Sequence, residues 1–343
     1  MTTQAPAASH DAAEEFLDRR TPAQRVQTVL HRYPWLSPAV VLVLSVIVFS
    51  SLNPNFASPN NLSLITQQVA VVGALAVGQT LVILTAGIDL SCGAIMVFSS
   101  MVMAKVAFDQ GLPTPVTILL GLLGGGLAGY VNGFLVTKVR LPPFIVTLGT
   151  YNIFLALTLL YATGRTIRDT ELANGLAWLG HTITIGRMDV TTGVLVMLAI
   201  YAVFAYVLRY TAWGRHVFAV GDDADAARLA GIQVTRVLLS VYVVAGLLYA
   251  ITGWILIGRV NAASPNSGID ANLDSITAVV IGGTSLFGGR GTVVGSLIGA
   301  LIVGVFRNGL SLANVQVYYQ TLAVGVLILL AVSIDQWIRR GRP

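Results

Sequence analysis

The stretch "YPWLSPAVVLVLSVIVFSSLNPNFASPNNLSLITQQVAVVGALAVGQTLVILTAGI" (Tyr33–Ile88) runs for 56 residues without Asp, Glu, Lys or Arg. A soluble domain carries about 25% charged residues, so a charge-free run of this length belongs in lipid. Gly111–Thr137, Leu141–Gly164, Val190–Leu208, Val237–Gly258 and Asn308–Ile334 are also free of those four residues. A spanning helix needs about 20 apolar residues. Composition agrees: the 343 residues are 55% hydrophobic and 10% charged, with mean hydropathy +0.78. The fold class is all-α, a polytopic membrane protein. The alternating ten-residue segments of a membrane barrel do not occur.

Turn residues punctuate the apolar runs at "NPNFASPNN" (53–61), "DQGLPTP" (109–115) and "RLPP" (140–143). They divide the chain into about ten spans: 35–52, 62–86, 92–108, 115–137, 143–162, 191–209, 237–258, 273–287, 292–310 and 318–335. With both termini cytoplasmic, fourteen of the twenty Lys and Arg fall on the cytoplasmic side, as the positive-inside rule requires. Residues 1–33 then form a cytoplasmic tail with a short amphipathic helix after Ala12. Residues 34–337 form a single membrane domain and 338–343 a second cytoplasmic tail. Two polar segments interrupt the domain, an external loop at 163–190 and a cytoplasmic loop at 210–236.

Several function classes drop out. Cys92 is the only cysteine and the histidines are scattered, so no metal cluster is expected. The net charge of +5 sits at helix ends, which indicates membrane topology and contact with lipid, not nucleic acid. Neither Lys105 nor Lys138 follows a glycine, so there is no Walker A loop to cradle ATP, and no cofactor is expected in this chain. "GGGLAG" (Gly124–Gly129) matches a dinucleotide fingerprint but lies in an apolar span with no strand before it. Gly121, Gly125, Gly129 and Gly133, like Gly291, Gly295 and Gly299, recur every four residues and mark faces for close helix packing.

The cytoplasmic segment "YTAWGRHVFAVGDDADAARLAGIQVTR" (Tyr210–Arg236) is too charged for lipid, yet "DADAARLAGI" has helical content and an apolar side. Asp222, Asp223 and Asp225 suit a helix N-terminus and Gly231 suits its end. Such a helix is either an ordinary capped surface helix or a docking helix for a cytoplasmic partner. Its "DAARLAG" (Asp225–Gly231) resembles the E-A-A-x-x-x-G motif of bacterial ABC importer permeases, with Asp in place of Glu. The flanking residues, "LTAGIDLSCGAIM" (Leu84–Met96) and "AVVIGGTSLFGGRGTVVGSLIGALIVG" (Ala278–Gly304), are similar to the monosaccharide branch of that family. The likeness covers nearly the whole chain after about residue 35. It implies a permease subunit that pairs with a second permease copy. A cytoplasmic ABC ATPase subunit would hold ATP and Mg, and a periplasmic or surface sugar-binding protein would deliver the solute. It also implies that Asp223, Asp225, Ala226, Ala227 and Gly231 couple to the ATPase, and that the location is the bacterial cytoplasmic membrane.

Two glycine-bounded breaks match each other. "GIDLS" (Gly87–Ser91) and "GTSLFGG" (Gly283–Gly289) align as G-x-[DS]-L-x-x-G, each where an inward span meets an outward one. Interrupted segments at matching places in two halves point to a transport pathway. Gly87, Asp89, Ser91, Gly283, Thr284, Ser285 and Gly289 are therefore candidate gate residues, the alternative being that Asp89 or Ser91 caps the next helix. Arg290 is expected to be a cytoplasmic anchor or ATPase-side contact. A neutral sugar calls for amides and hydroxyls, and Gln79, Asn132, Asn152 and Asn308 are candidate contacts, with Gln67, Gln68, Tyr151 and Ser285 behind them. A branched-chain amino acid or nucleoside permease remains the nearest alternative. A secondary transporter, which would need intramembrane charges, is the alternative from another class.

Overall fold

The computed structural model describes residues 35–168, 175–268, 270–326 and 329. The two expected tails, the helix after Ala12 and the latter part of the tenth expected span lie outside the described residues. The chain opens with α1 (Leu36–Leu52), α2 (Pro59–Leu84), α3 (Cys92–Gln110), α4 (Thr114–Thr137) and α5 (Pro143–Ala162). Their ends follow local chemistry. Ser58 caps α2 by accepting from the Asn61 amide, with Pro59 at the first helical position. Gly111 ends α3 in the left-handed conformation. The chain continues through β1 (Ile167–Arg168), a 3-10 turn (Leu176–Gly180), β2 (Thr182–Ile185) and β3 (Met188–Thr191). Then come α6 (Thr192–Tyr210), α7 (Ala212–Asp222), α8 (Ala224–Leu229), α9 (Val234–Val260), β4 (Ala262–Ala263), α10 (Ala271–Ile281) and α11 (Val293–Leu312). Residues 317–326 are helical as well.

The core is built on α2, α3 and α9, which are buried over most of their length. α4, α5 and α6 surround them and turn large apolar residues such as Leu127 and Leu160 outward. That exposed apolar surface is what a helix facing lipid presents. In the glycine ladder of α4, Gly121 faces Met103 of α3 and Gly125, Gly129 and Gly133 face α9. A Cβ at Gly129 would collide with the Tyr242 carbonyl, and one at Gly125 would crowd Gly246 and Ala250. These glycines serve close helix packing, and "GGGLAG" is helix throughout.

Hydrogen bonds sort the connecting segments between two ends of the bundle. At one end Asn53 donates to the Leu312 carbonyl, Asn61 and Asn308 exchange amide hydrogen bonds, and the Asp189 amide donates to Ser63. There β1 pairs antiparallel with β4, joining the 163–190 segment to the chain after α9. At the other end Thr147 donates to the Ile88 carbonyl, Trp213 Nε1 to Ser240, and the Gly289 amide to the Leu84 carbonyl. Segments 53–61 and 163–190 and the chain after α9 thus share one end, and 210–236 lies at the other.

Among the described residues seven helices are long and apolar enough to cross a membrane: α2–α6, α9 and α11. The eighth expected span, 273–287, is corrected. α10 has 11 residues and stops at Ile281. At 1.5 Å per residue it is about 16 Å long, half of what a bilayer core demands. Two further corrections concern polar segments. The 163–190 loop contains the hairpin β2–β3, so the fold is mostly helical, with four short strands among the described residues. The 210–236 loop is largely helix, because Trp213, Val217 and Val220 recur on one face of α7 and pack inward.

Candidate functional site

α7 and α8 are two short helices hinged at Asp223. The Asp223 carboxylate accepts from the amides of Asp225 and Ala226 at 2.9 Å each, capping α8. At the far end Gly231 has φ +84°. Its amide donates to the Arg228 carbonyl and that of Ile232 to the Ala227 carbonyl, the paired bonds of a Schellman ending. The sequence expectation for this helix matches its caps, although the helix is only six residues long. Ala227 is buried against the bundle while Leu229 is 91% exposed. The surface pair Arg228–Asp225 at 2.7 Å is too solvated to hold the helix in place.

α7 ends against the second glycine break. A Cβ at Gly221 would fall on the Leu84 carbonyl, and one at Gly288 on the Gly221 carbonyl. Gly289, at φ +68°, faces the backbone of Asp222. The end of α2, the end of α7 and the loop 282–292 therefore meet largely backbone to backbone, with the Cβ atoms of Ala86 and Asp222 also at the contact. Of the residues singled out in this loop, Thr284 and Ser285 are buried, whereas Arg290 is exposed beside exposed Phe287. The sequence reading missed both Gly221 and Phe287. A glycine in "AVGDD" carries no signal of a three-way contact.

The first break is held differently. Asp89 Oδ1 accepts from the Ser91 amide at 2.8 Å and from Ser91 Oγ at 2.6 Å. Ser285 Oγ, at the matched position, accepts from the Phe287 amide at 3.2 Å. The two breaks thus share the same residue-to-residue-plus-two turn. The capping alternative is corrected: Ser91 makes no side-chain cap bond to α3, and Asp89 bonds to a residue before the helix. Asn132 Nδ2 donates to Ser91 Oγ, and Tyr249 OH reaches Gln79 Oε1 at 3.4 Å. Asp89 Oδ2, Asn132 Oδ1, Gln79 Nε2 and Tyr242 OH are buried here with no hydrogen-bond partner among the described residues. Buried polar atoms are almost always satisfied, so four together set this cluster apart from the apolar core around it.

α10 joins the two regions to a cavity. Asn272, in its first turn, donates to the Leu90 carbonyl at 2.6 Å and accepts from Cys92 Sγ. Its last turn runs into the loop that meets α7. Its other face lines a cavity of about 620 Å³ between α2, α9, α10 and α11, within the range of small-molecule sites. Arg307 reaches Asp274 at 2.7 Å and Asp270 at 3.7 Å across this cavity. These charges were not among the sequence candidates. Residues 274 and 307 pair only because α10 and α11 fold back on each other. Of the expected solute contacts, Asn308 lines the cavity, but its amide is engaged with Asn61. Gln79 and Asn132 belong to the Asp89 cluster. Asn152 is exposed on α5, bonded to the Leu148 carbonyl. The second-line candidate Gln68 lines the cavity.

Comparison with known proteins bears on what such a bundle does. Residues 61–332 match the family described as branched-chain amino acid transport system / permease component. The fructose import permease protein of Rhizobium meliloti is 50% identical over 336 residues, covering 97% of this chain and 93% of its own length. The ribose import permease protein of Bacillus subtilis is 42% identical over 301 residues, covering 88% and 92%. The xylose transport system permease protein of Escherichia coli is 33% identical over 341 residues, covering 83% and 87%.

Proposed function

This chain belongs to the branched-chain amino acid transport system / permease component family, and from that premise we propose that it is the membrane-spanning permease subunit of an ATP-driven importer for a monosaccharide or related polyol. It sits in the bacterial cytoplasmic membrane with about ten helices and both termini cytoplasmic. A second permease copy completes the pathway, a cytoplasmic ATPase subunit hydrolyses ATP, and an extracytoplasmic binding protein delivers the solute. α8 is the coupling helix. Its exposed Leu229 meets the ATPase, as do exposed Phe287 and Arg290 of the loop 282–292, while buried Ala227 ties the helix to the bundle.

The observation that carries this reading is the direct seating of α7 on the loop 282–292. A push on α8 passes through Gly221 to that loop, and through α10 to Asn272 and the cavity. The Asp89 cluster, with its unpartnered groups, rearranges as this happens. Sugar as the solute rests on the names of the relatives. The family description favours branched-chain amino acids as a second reading.

The test is uptake by cells expressing the chain with its ATPase and binding protein. Radiolabelled fructose, ribose, xylose and leucine are compared, with and without a substitution of the ATPase's phosphate-binding lysine. Sugar uptake that vanishes with the ATPase substitution is expected. Leucine uptake without sugar uptake would establish the second reading. Uptake abolished by a protonophore at normal ATP would make the chain a secondary transporter.

A further inference from the structure

Among the described residues, the cavity beside α10 has a lining whose charge cancels. Arg259 and Arg307 contribute two positive charges, Asp270 and Asp274 two negative. Arg307 lies between the two carboxylates, yet its Nε is buried with no partner. Arg259 and the Gln68 amide make no hydrogen bond among the described residues. The walls therefore offer fixed donors and fixed acceptors side by side. A hydroxyl both donates and accepts, and a neighbouring pair of hydroxyls matches a guanidinium beside a carboxylate. A solute carrying its own charge would unbalance the set and leave a partly buried ion without compensation.

We propose that Arg307, Asp274 and Asp270, with Arg259 and Gln68, form a solute-contact site for uncharged polyhydroxylated molecules, and that the site's electroneutrality rejects sugar acids. This rests on the permease reading above and adds a selectivity step within the membrane to whatever the delivering protein imposes. The Arg307–Asp274 pair is the specificity determinant. With Asp274 neutralised the lining gains one positive charge and accepts a carboxylate. With Arg307 neutralised it gains one negative charge and repels anions more strongly.

The test uses the full chain in proteoliposomes with Ser267→Cys, in the cavity wall but outside the proposed contact set, as reporter in a Cys92→Ser background. Labelling rates are measured with anionic and cationic thiosulfonates, and protection with D-fructose, D-ribose and gluconate. The reporter should react with both reagents at similar rates. Adding Asp274→Asn should shift the rate ratio toward the anionic reagent by about tenfold, and adding Arg307→Gln should shift it as far the other way. The double substitution should restore it, which separates a charge effect from misfolding. A sugar, but not gluconate, should slow labelling in the parent, and gluconate should begin to protect in Asp274→Asn. Ratios unmoved by either single substitution overturn the site, whatever the chain transports. Gluconate protecting the parent as well as fructose does overturns the selectivity. Ratios that move as expected with no protection by either sugar leave the charged cavity standing and overturn a monosaccharide as its solute.

Discussion

A methyl group on Gly221 has nowhere to go. Its Cβ would land on the Leu84 carbonyl, with the Gly289 amide close by. Gly231 is the opposite case: a Cβ there meets open space, and only its left-handed torsion resists, at about 1–2 kcal/mol. Gly221→Ala should therefore abolish uptake and lower the melting temperature of the purified chain. Gly231→Ala should retain most of both. Equal behaviour of the two variants would show that the contact at Gly221 is loose. Asp89→Asn asks a different question. The side chain is 1% exposed, and an asparagine oxygen can still accept from Ser91. Since Asp89 does not line the cavity, uptake should fall partway with the order of preference among sugars unchanged, and a changed order would mean that Asp89 touches the solute. Asp89 was legible because a lone carboxylate in an apolar run demands a reason. Arg307 and Asp274 were not, since each looks like an ordinary charge at a helix end until the helices pair.

At the scale of elements, boundaries set by proline and glycine in "DQGLPTP" and "RLPP" were legible because they depend on neighbours in sequence. The spans 143–162 and 292–310 fall on α5 and α11 almost residue for residue. α10 was misread for a physical reason. Hydropathy treats "VVIGGTSLF" as one apolar run, but left-handed torsions at Gly283, Gly288 and Gly289 end the helix and turn the chain. α7 was missed because His216, Arg215 and Asp222 dilute its apolar face. α8 gives a test that leaves the bundle intact. Leu229 is almost wholly exposed, so Leu229→Glu should not alter the melting temperature. It should nonetheless reduce co-purification of the ATPase and uptake severalfold. Undiminished co-purification would remove α8 from the contact.

For the molecule as a whole, the division of loops between two ends was legible from charge asymmetry, and the hydrogen bonds that gather them were not. Absolute sidedness is open to labelling. In a Cys92→Ser background, Asn266→Cys should react with an impermeant thiol reagent added to intact cells, and Ala224→Cys should react only after the cells are opened. The reverse pattern would turn the topology over. The native mass of the purified transporter should contain two permease chains for two nucleotide-binding domains, and a single permease chain with no second membrane subunit would contradict the paired pathway. The junction of Leu84, Gly221 and Gly289 bears on timing. Side chains are compliant springs that absorb displacement before passing it on. A contact made almost wholly of backbone has little slack, and α10, which continues from it to the Arg307–Asp274 pair, is a single rigid rod. Motion at the inner end and loosening at the cavity should then be one concerted step. Distance probes at Ala224 and Asn266 in single molecules should jump together, with no dwell in which only one has moved.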